Sequence, residues 1–422
     1  MKTFREIIRK INLALFVFIF IIFFVSENVN ATSQWARKFG MSCSSCHTIF
    51  PRLNSFGEEF LKNGYQLVST YKKNWEDAYP VDAGGVLLDD VTNLFGVRLN
   101  MTPFMLETNS LQKDSLSGKT TRFTFGNALW AQLFVAGSIY KDISFFSELE
   151  YSKSSFKFNW FYFNFTNLFG SEALNFQVGS ISPLEYASYP NRLPTLPNLK
   201  GEVMLIKSSN GKGEESVDMS SARPGIQYFG RNEWATLYAG ISPGTTAREV
   251  NQFLNLWGGL VLKLPESVSR DLGGSTATIH YYRGTDTKGT GTPTQIENEF
   301  SRISPQVNIR WRDLDFQAAY VMGTDDNWLL VQNPAADFQF NGFTFEAGYL
   351  LSPSWHVACH YDNFNSDEIN GVKVFDFQRI VPAFTYIINE NIRFSVYYEA
   401  DLTDKPSEDK VNKAYLNVRT MF

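Results

Sequence analysis

Ile392-Arg393-Phe394-Ser395-Val396-Tyr397-Tyr398-Glu399 places apolar side chains at 392, 394, 396 and 398, with mostly polar ones between them. A period of two sends alternate residues to opposite faces of an extended chain, so this stretch reads as a strand with two unlike faces. The pattern recurs in Val307, Ile309 and Trp311 against Asn308, Arg310 and Arg312. It recurs again in Phe343, Phe345, Ala347 and Tyr349 against Thr344, Glu346 and Gly348. Segments of about ten residues with this alternation, divided by turns, mark a transmembrane barrel whose strands meet lipid on one side and a lumen on the other. Strands are expected near 95–106, 122–139, 143–152, 155–167, 173–182, 223–230, 233–242 and 252–264, then near 275–284, 301–312, 314–323, 342–351, 354–364, 377–388, 391–401 and 413–422. The expected fold is thus all-β, an outer-membrane antiparallel β-barrel of about 16 strands.

The connections test that count. With both termini in the periplasm, the junctions Arg312-Asp313-Leu314, Ser352-Pro353-Ser354 and Asn389-Glu390-Asn391 fall on the periplasmic side, where turns are short. The polar stretches near 183–222, 285–300, 324–341, 365–376 and 402–412 fall outside, and the glycine-rich run at 284–292, which follows no phosphate-loop pattern, reads as a flexible external loop. One misfit is the three-residue loop after Tyr151, which the scheme also puts outside. The last strand carries Leu416, Val418 and Phe422 on one face and resembles the aromatic terminal strand by which outer-membrane barrels are recognised for insertion.

Composition agrees with a barrel. The chain of 422 residues is 44% hydrophobic and 16% aromatic, with a mean hydropathy of -0.20, too polar for a helical membrane bundle. Its formal charge of -5 argues against nucleic-acid binding, which normally needs a basic footprint. At the N-terminus, Lys2, Arg5, Arg9 and Lys10 precede an apolar run from Leu13 to Val25, and Val29-Asn30-Ala31 supplies small residues for cleavage. Residues 1–31 are therefore expected to be a signal peptide, the apolar run being shorter than the ~20 residues of a spanning helix.

Behind that signal stands Met41-Ser42-Cys43-Ser44-Ser45-Cys46-His47. A C-x-x-C-H run in an exported chain reads as a covalent c-type haem site: Cys43 and Cys46 each reach one vinyl group of a single porphyrin, and His47 supplies an axial nitrogen. A redox C-x-x-C would need a thioredoxin-like βαβ context and would leave His47 without a role; a zinc site would need a second ligand pair. With these two cysteines assigned, Cys359 is unpaired and no disulfide scaffold is possible. Downstream, Pro51 suits a first helical turn, Leu53, Phe56, Phe60 and Leu61 share a face, and Asn63-Gly64 suits the C-terminal cap. Residues 32–82 form the small α-helical haem segment and 83–422 the barrel. About 50 residues bury too little apolar surface to stand alone, so the segment is expected to dock in the periplasmic end or lumen of the barrel.

The run from Trp35 to Gly57, with Asn63-Gly64-Tyr65 closing it, resembles the start of the fused outer-membrane monohaem cytochrome-porin family of iron-oxidising bacteria. The resemblance is specific over residues 35–65 and architectural beyond. It implies one covalently bound haem c on Cys43 and Cys46, with His47 as proximal ligand. It also implies extracellular ferrous iron as electron donor and a periplasmic cytochrome as acceptor. A diffusion porin with a haem-bearing plug, and electron export to external acceptors, are the competing functions.

A second axial ligand is not evident from sequence. Met101 and Met105 share parity with Val97 and Leu99 and are expected to face lipid; Cys359 lies on the same kind of apolar face. His356 and His360 are expected to point into the lumen as hydrogen-bonded or solvated residues, and His280 likewise. Glu148, Glu150 and Glu346 fall on polar faces and Asp325-Asp326 in an external loop. Carboxylates suit a hard cation such as ferrous iron, although any water-filled barrel carries lumen charges of this kind.

Overall fold

The computed structural model describes residues 34–67, 81–83, 86–88, 93–109, 121–140, 142–152, 155–190, 194–196, 199–214, 218–244, 255–332, 337–369, 371–405 and 409–421. The expected signal peptide, residues 1–31, and Phe422 lie outside these residues. Sixteen long strands follow in chain order: β1 (Phe95–Thr108), β2 (Arg122–Tyr140), β3 (Ile143–Ser152), β4 (Ser155–Phe165), β5 (Asn175–Ile181), β6 (Arg223–Arg231), β7 (Ala235–Ser242) and β8 (Asn255–Lys263). The second half comprises β9 (Thr276–Lys288), β10 (Ile296–Trp311), β11 (Leu314–Asp325), β12 (Phe338–Ser352), β13 (Trp355–Ser366), β14 (Asp376–Asn389), β15 (Ile392–Asp401) and β16 (Asn412–Met421). Each pairs antiparallel with the next, and β16 closes on β1 from Asn412↔Thr108 to Met421↔Arg98. Closure leaves no unpaired edge, which is what a sheet in lipid requires. A short hairpin, Val81–Ala83 with Val86–Leu88, adds to the wall where Val86 pairs Tyr140.

Burial inverts the usual soluble pattern. Along β10, Ser304, Gln306, Asn308 and Arg310 are buried inward while Ile303, Ile309 and Trp311 are exposed outward. Eight steps from Ile303 to Trp311, at about 3.3 Å each and a tilt of about 40°, span about 20 Å of membrane normal, close to the ~25 Å apolar band of such barrels. Past that band the polarity of the two faces exchanges. In β12, Phe338 and Phe340 turn inward under Trp328, while Gln339 and Asn341 face out, so the strand has left the lipid by residue 341.

Several expectations change here. The strands β9 and β10 continue through the glycine-rich run, pairing from Thr285↔Glu299 to Lys288↔Ile296, so only 289–295 remain as a loop. Threonine at 285 and 287 favours the extended chain more than the flanking glycines oppose it. Asp325 likewise ends β11 and is buried. The stretch 183–222 leaves the loop end but folds back into the lumen: Leu184, Tyr186, Tyr189, Val203, Met204 and Ile206 are buried. Those six apolar side chains, dispersed in a polar run, are what draw it inward. Met105 also departs from its expected face. Phe104 and Leu106 are exposed outward beside it, because the pairing with β16 shifts between Val418↔Met101 and Leu416↔Phe104. A bulge reverses every later side chain; Met101 lies before it and faces out. The short hairpin after Tyr151 stays at the loop end, with Ser152 paired to Ser155.

Candidate functional site

Residues 34–67 sit inside the short-turn end of the barrel. Helix α1 (Gln34–Phe39) leads into the Cys43–Ser45 turn, then a two-stranded turn in which His47 pairs Leu53, then helix α2 (Ser55–Lys62). Helix α2 starts at Ser55, not near Pro51, because the Asn54 side chain caps it by accepting from the Gly57 amide at 2.9 Å. The Asn54 amide nitrogen in turn donates to the carbonyls of Ser44 and Ser45, tying the helix to the cysteine turn. Gly57 is required at this contact: a Cβ there would collide with the Cys46 carbonyl. At the far end Asn63 is the C-cap and Gly64 adopts a φ of +66°, as expected of that pair.

Charge anchors the segment to the wall. Arg52 donates to Asp315 of β11 at 2.9 Å, Arg310 of β10 reaches Glu58 at 2.6 Å, and Glu59 meets Arg231 of β6 at 3.0 Å and Lys263 of β8 at 2.8 Å. Burial acts to raise the Glu59 carboxyl, but Lys62, Lys263 and Arg231 outweigh it and hold the group down at about 2. Tyr65 and Tyr162 of β4 share a hydroxyl contact of 2.5 Å, and Trp35 stacks on Tyr65 at 4.5 Å.

Between this segment and the wall lies a cavity bordered by Cys43, Cys46 and His47 and by the apolar faces of Trp35, Phe50, Phe60, Phe134 and Phe146. The His47 Nδ1 donates to the Pro51 carbonyl at 3.2 Å, so Nε2 keeps its lone pair. Burial pushes the imidazole down to about 4, the Pro51 and Arg52 carbonyls opposing and the Arg393 and Arg98 charges assisting, which leaves it neutral as a metal ligand must be. Burial, with Cys43 adjacent, lifts the Cys46 thiol to about 11. A redox-active C-x-x-C works by the opposite shift, toward thiolate. Gln34 is buried at the rim with neither amide atom partnered among the described residues, and Trp35 Nε1 is likewise without a partner.

The histidines considered for a second ligand lie elsewhere. All three face the lumen, but His360 donates to Asp362 at 2.8 Å with Glu346 behind it, and His280 bonds the Tyr238 hydroxyl at 2.9 Å. Neither these nor His356 border the cavity; Cys359 faces outward, partly exposed. The carboxylates are also engaged: Glu346 accepts from the Thr195 and Leu196 amides, Glu148 from Gln132, Glu150 from Asn159, and Asp325 pairs with Arg302 at 2.7 Å. Among the described residues no group of three His, Cys, Asp or Glu is arranged to hold a metal ion. Sequence reasoning missed Met421, which borders the cavity beside Arg98. The signal was present, since Met421 shares parity with inward Asn417 and Arg419.

No family model matches the chain, and no curated protein does. Among solved structures it is similar to the anion-selective porin from Comamonas acidovorans, with a TM-score of 0.57 and 10% identity over 78% of this chain and 98% of that one. The outer membrane channel DcaP of Acinetobacter baumannii gives 0.54 and 13% over 78% and 96%. OmpT of Vibrio cholerae gives 0.53 and 10% over 81% and 99%. Such identities carry the fold alone. This chain is a 16-strand porin-like β-barrel of the outer membrane.

Proposed function

We propose that this barrel is an electron conduit holding one covalently bound haem c, most simply a ferrous-iron oxidoreductase that takes electrons from extracellular iron and passes them to a periplasmic cytochrome. The observation that carries the reading is the position of Cys43, Cys46 and His47 on the wall of one apolar cavity within the short-turn end. The residues fit the group: two cysteine thiols for thioethers, a neutral imidazole with its Nδ1 already bonded, aromatic walls, and Gln34 and Trp35 polar atoms at the rim that have no partner among the described residues. When bound, the haem supplies one-electron chemistry, and the protein sets its environment. Met421, on the barrel wall, borders the same cavity, as does Met41, and would offer a thioether to the group when bound; His/Met ligation raises the potential of such sites.

The chain's own residues also enter the lumen. At the loop end, 182–222 folds inward, with Ser188 bonded to Thr276 and Thr278, the Tyr189 amide donating to Gln306, and Ser208 to Asp286. With 34–67 at the other end, the lumen is filled from both sides. Anaerobic mixing of the oxidised protein with ferrous iron tests the conduit: reduced-haem bands should grow in. A diffusion porin is the second reading, favoured by the fold shared with an anion-selective porin. Wide conductance in a planar bilayer, with no redox exchange through the haem, would select it over the conduit.

A further inference from the structure

Arg393 of β15 and Arg419 of β16 are directly paired across the ladder and both face the lumen. Opposed residues have Cβ atoms about 5 Å apart, where like charges repel. Exposures of 4% and 3% remove the water that would screen them. None of the three Arg393 guanidinium nitrogens has a partner among the described residues. Arg419 donates its Nε to the Asn100 side-chain Oδ1 at 3.0 Å, and neither arginine enters an ion pair among those residues. An uncompensated buried cation is costly, and two facing one another more so. Three other buried arginines meet carboxylates, Arg52 with Asp315, Arg302 with Asp325 and Arg379 with Asp362, and Arg223 is satisfied by the Tyr282 hydroxyl and backbone carbonyls.

The two arginines border a second cavity, together with Cys43, His47 and Phe50. Its one acid, Glu390, accepts from the Cys43 amide at 2.7 Å and from the Ser44 hydroxyl. We propose that Arg393 and Arg419 form an anion clamp for carboxylates arriving with the cofactor, namely the propionates of the haem attached at Cys43 and Cys46. The proposal rests on the haem reading. Planar guanidinium forks match carboxylate geometry, so the pair would hold the group's carboxylates and offset their charge.

The test uses the full-length protein with Arg393→Gln, Arg419→Gln, both together, and Arg393→Lys. Haem staining of the wild type comes first, since an unstained band removes the haem reading itself. Given haem, each Gln variant should lower the midpoint potential, the double variant should lower it further, and the propionate bending bands in resonance Raman should shift. Arg393→Lys should recover most of the potential. Heat-modifiable migration checks that each barrel has folded; where a Gln variant fails it, the Lys variant carries the Raman comparison. Titration with inorganic phosphate separates the sources of the anion: a wild-type potential independent of phosphate supports the clamp, and one that moves with it assigns the arginines to a free anion. Gln variants that keep the wild-type potential and Raman bands overturn the proposal.

Discussion

Replacing Glu59 with Gln keeps the shape of helix α2 and removes the charge that Arg231, Lys263 and Lys62 converge on. A carboxyl held at about 2 against an ordinary 4.5 corresponds to about 3 kcal/mol of preferential stabilisation of the docked, ionised form. The Glu59 side chain is 28% exposed, so solvent screening lowers this to about 2–3 kcal/mol. Loss of that amount raises the undocked population of residues 34–67 roughly 30- to 150-fold. The readouts are protease cleavage within 34–67 and the rate at which imidazole reaches the haem iron, with heat-modifiable migration as the check that the barrel is intact. The pH dependence has a definite sign. Because the folded group sits below its ordinary value, its contribution is complete above about 4.5 and is lost as pH falls from there through about 2. The wild type should therefore open progressively in that window, and Glu59→Gln should be open above it and flatter within it. A variant with wild-type accessibility and the same pH profile would refute the claim that charge docks the segment.

Replacing Cys43 and Cys46 with Ser should abolish peroxidase staining of the denatured band near the mass of the chain less its leader, when expressed in cells competent for cytochrome maturation. Met421→Leu should alter the reduced-haem spectrum and lower the midpoint potential, whereas His360→Ala should leave the spectrum unchanged; the reverse result would move the sixth ligand to β13. Gly57→Val should weaken docking by about 1–3 kcal/mol, the usual cost of forcing volume into a packed contact, seen as faster proteolysis of 34–67. Excising 185–206 should open the lumen and raise single-channel conductance in planar bilayers; unchanged conductance would mean the inward loop does not bear on permeation.

The strand register was legible because the barrel wall has a period of two with chemically opposite faces, so any run longer than about eight residues declares both its direction and its side. Legibility failed where that contrast weakens. In β1 the apolar set runs Phe104, Met105, Leu106 on both faces, and only the pairing with β16 reveals the bulge that turns Met105 inward. In 182–222 the apolar residues have no period, since they pack into the lumen from irregular chain, and composition alone reads as an external loop. The attachment residues were legible as a local motif, but the environment that makes them a site was not. Arg393 and Arg419 stand 26 positions apart and about 350 from His47, and only closure of β16 on β1 brings them to one cavity.

The same closure bears on what the barrel transports. A porin wall is indifferent to cargo: what passes depends on what occupies the lumen. Here the described residues of the chain enter the lumen from both ends, and one apolar cavity is bordered by thiols and an imidazole whose donor is already fixed. Solutes need continuous water; electrons need only a redox group held within the apolar band with its potential matched to the donor. A buried arginine pair and a thioether both shift a haem toward its reduced state, raising its potential. That is the direction required for accepting electrons from a weak reductant such as ferrous iron, and the opposite of what export to an external acceptor of low potential would demand. Under the proposed haem reading, the polar chemistry of this lumen would therefore bear on the direction of flow.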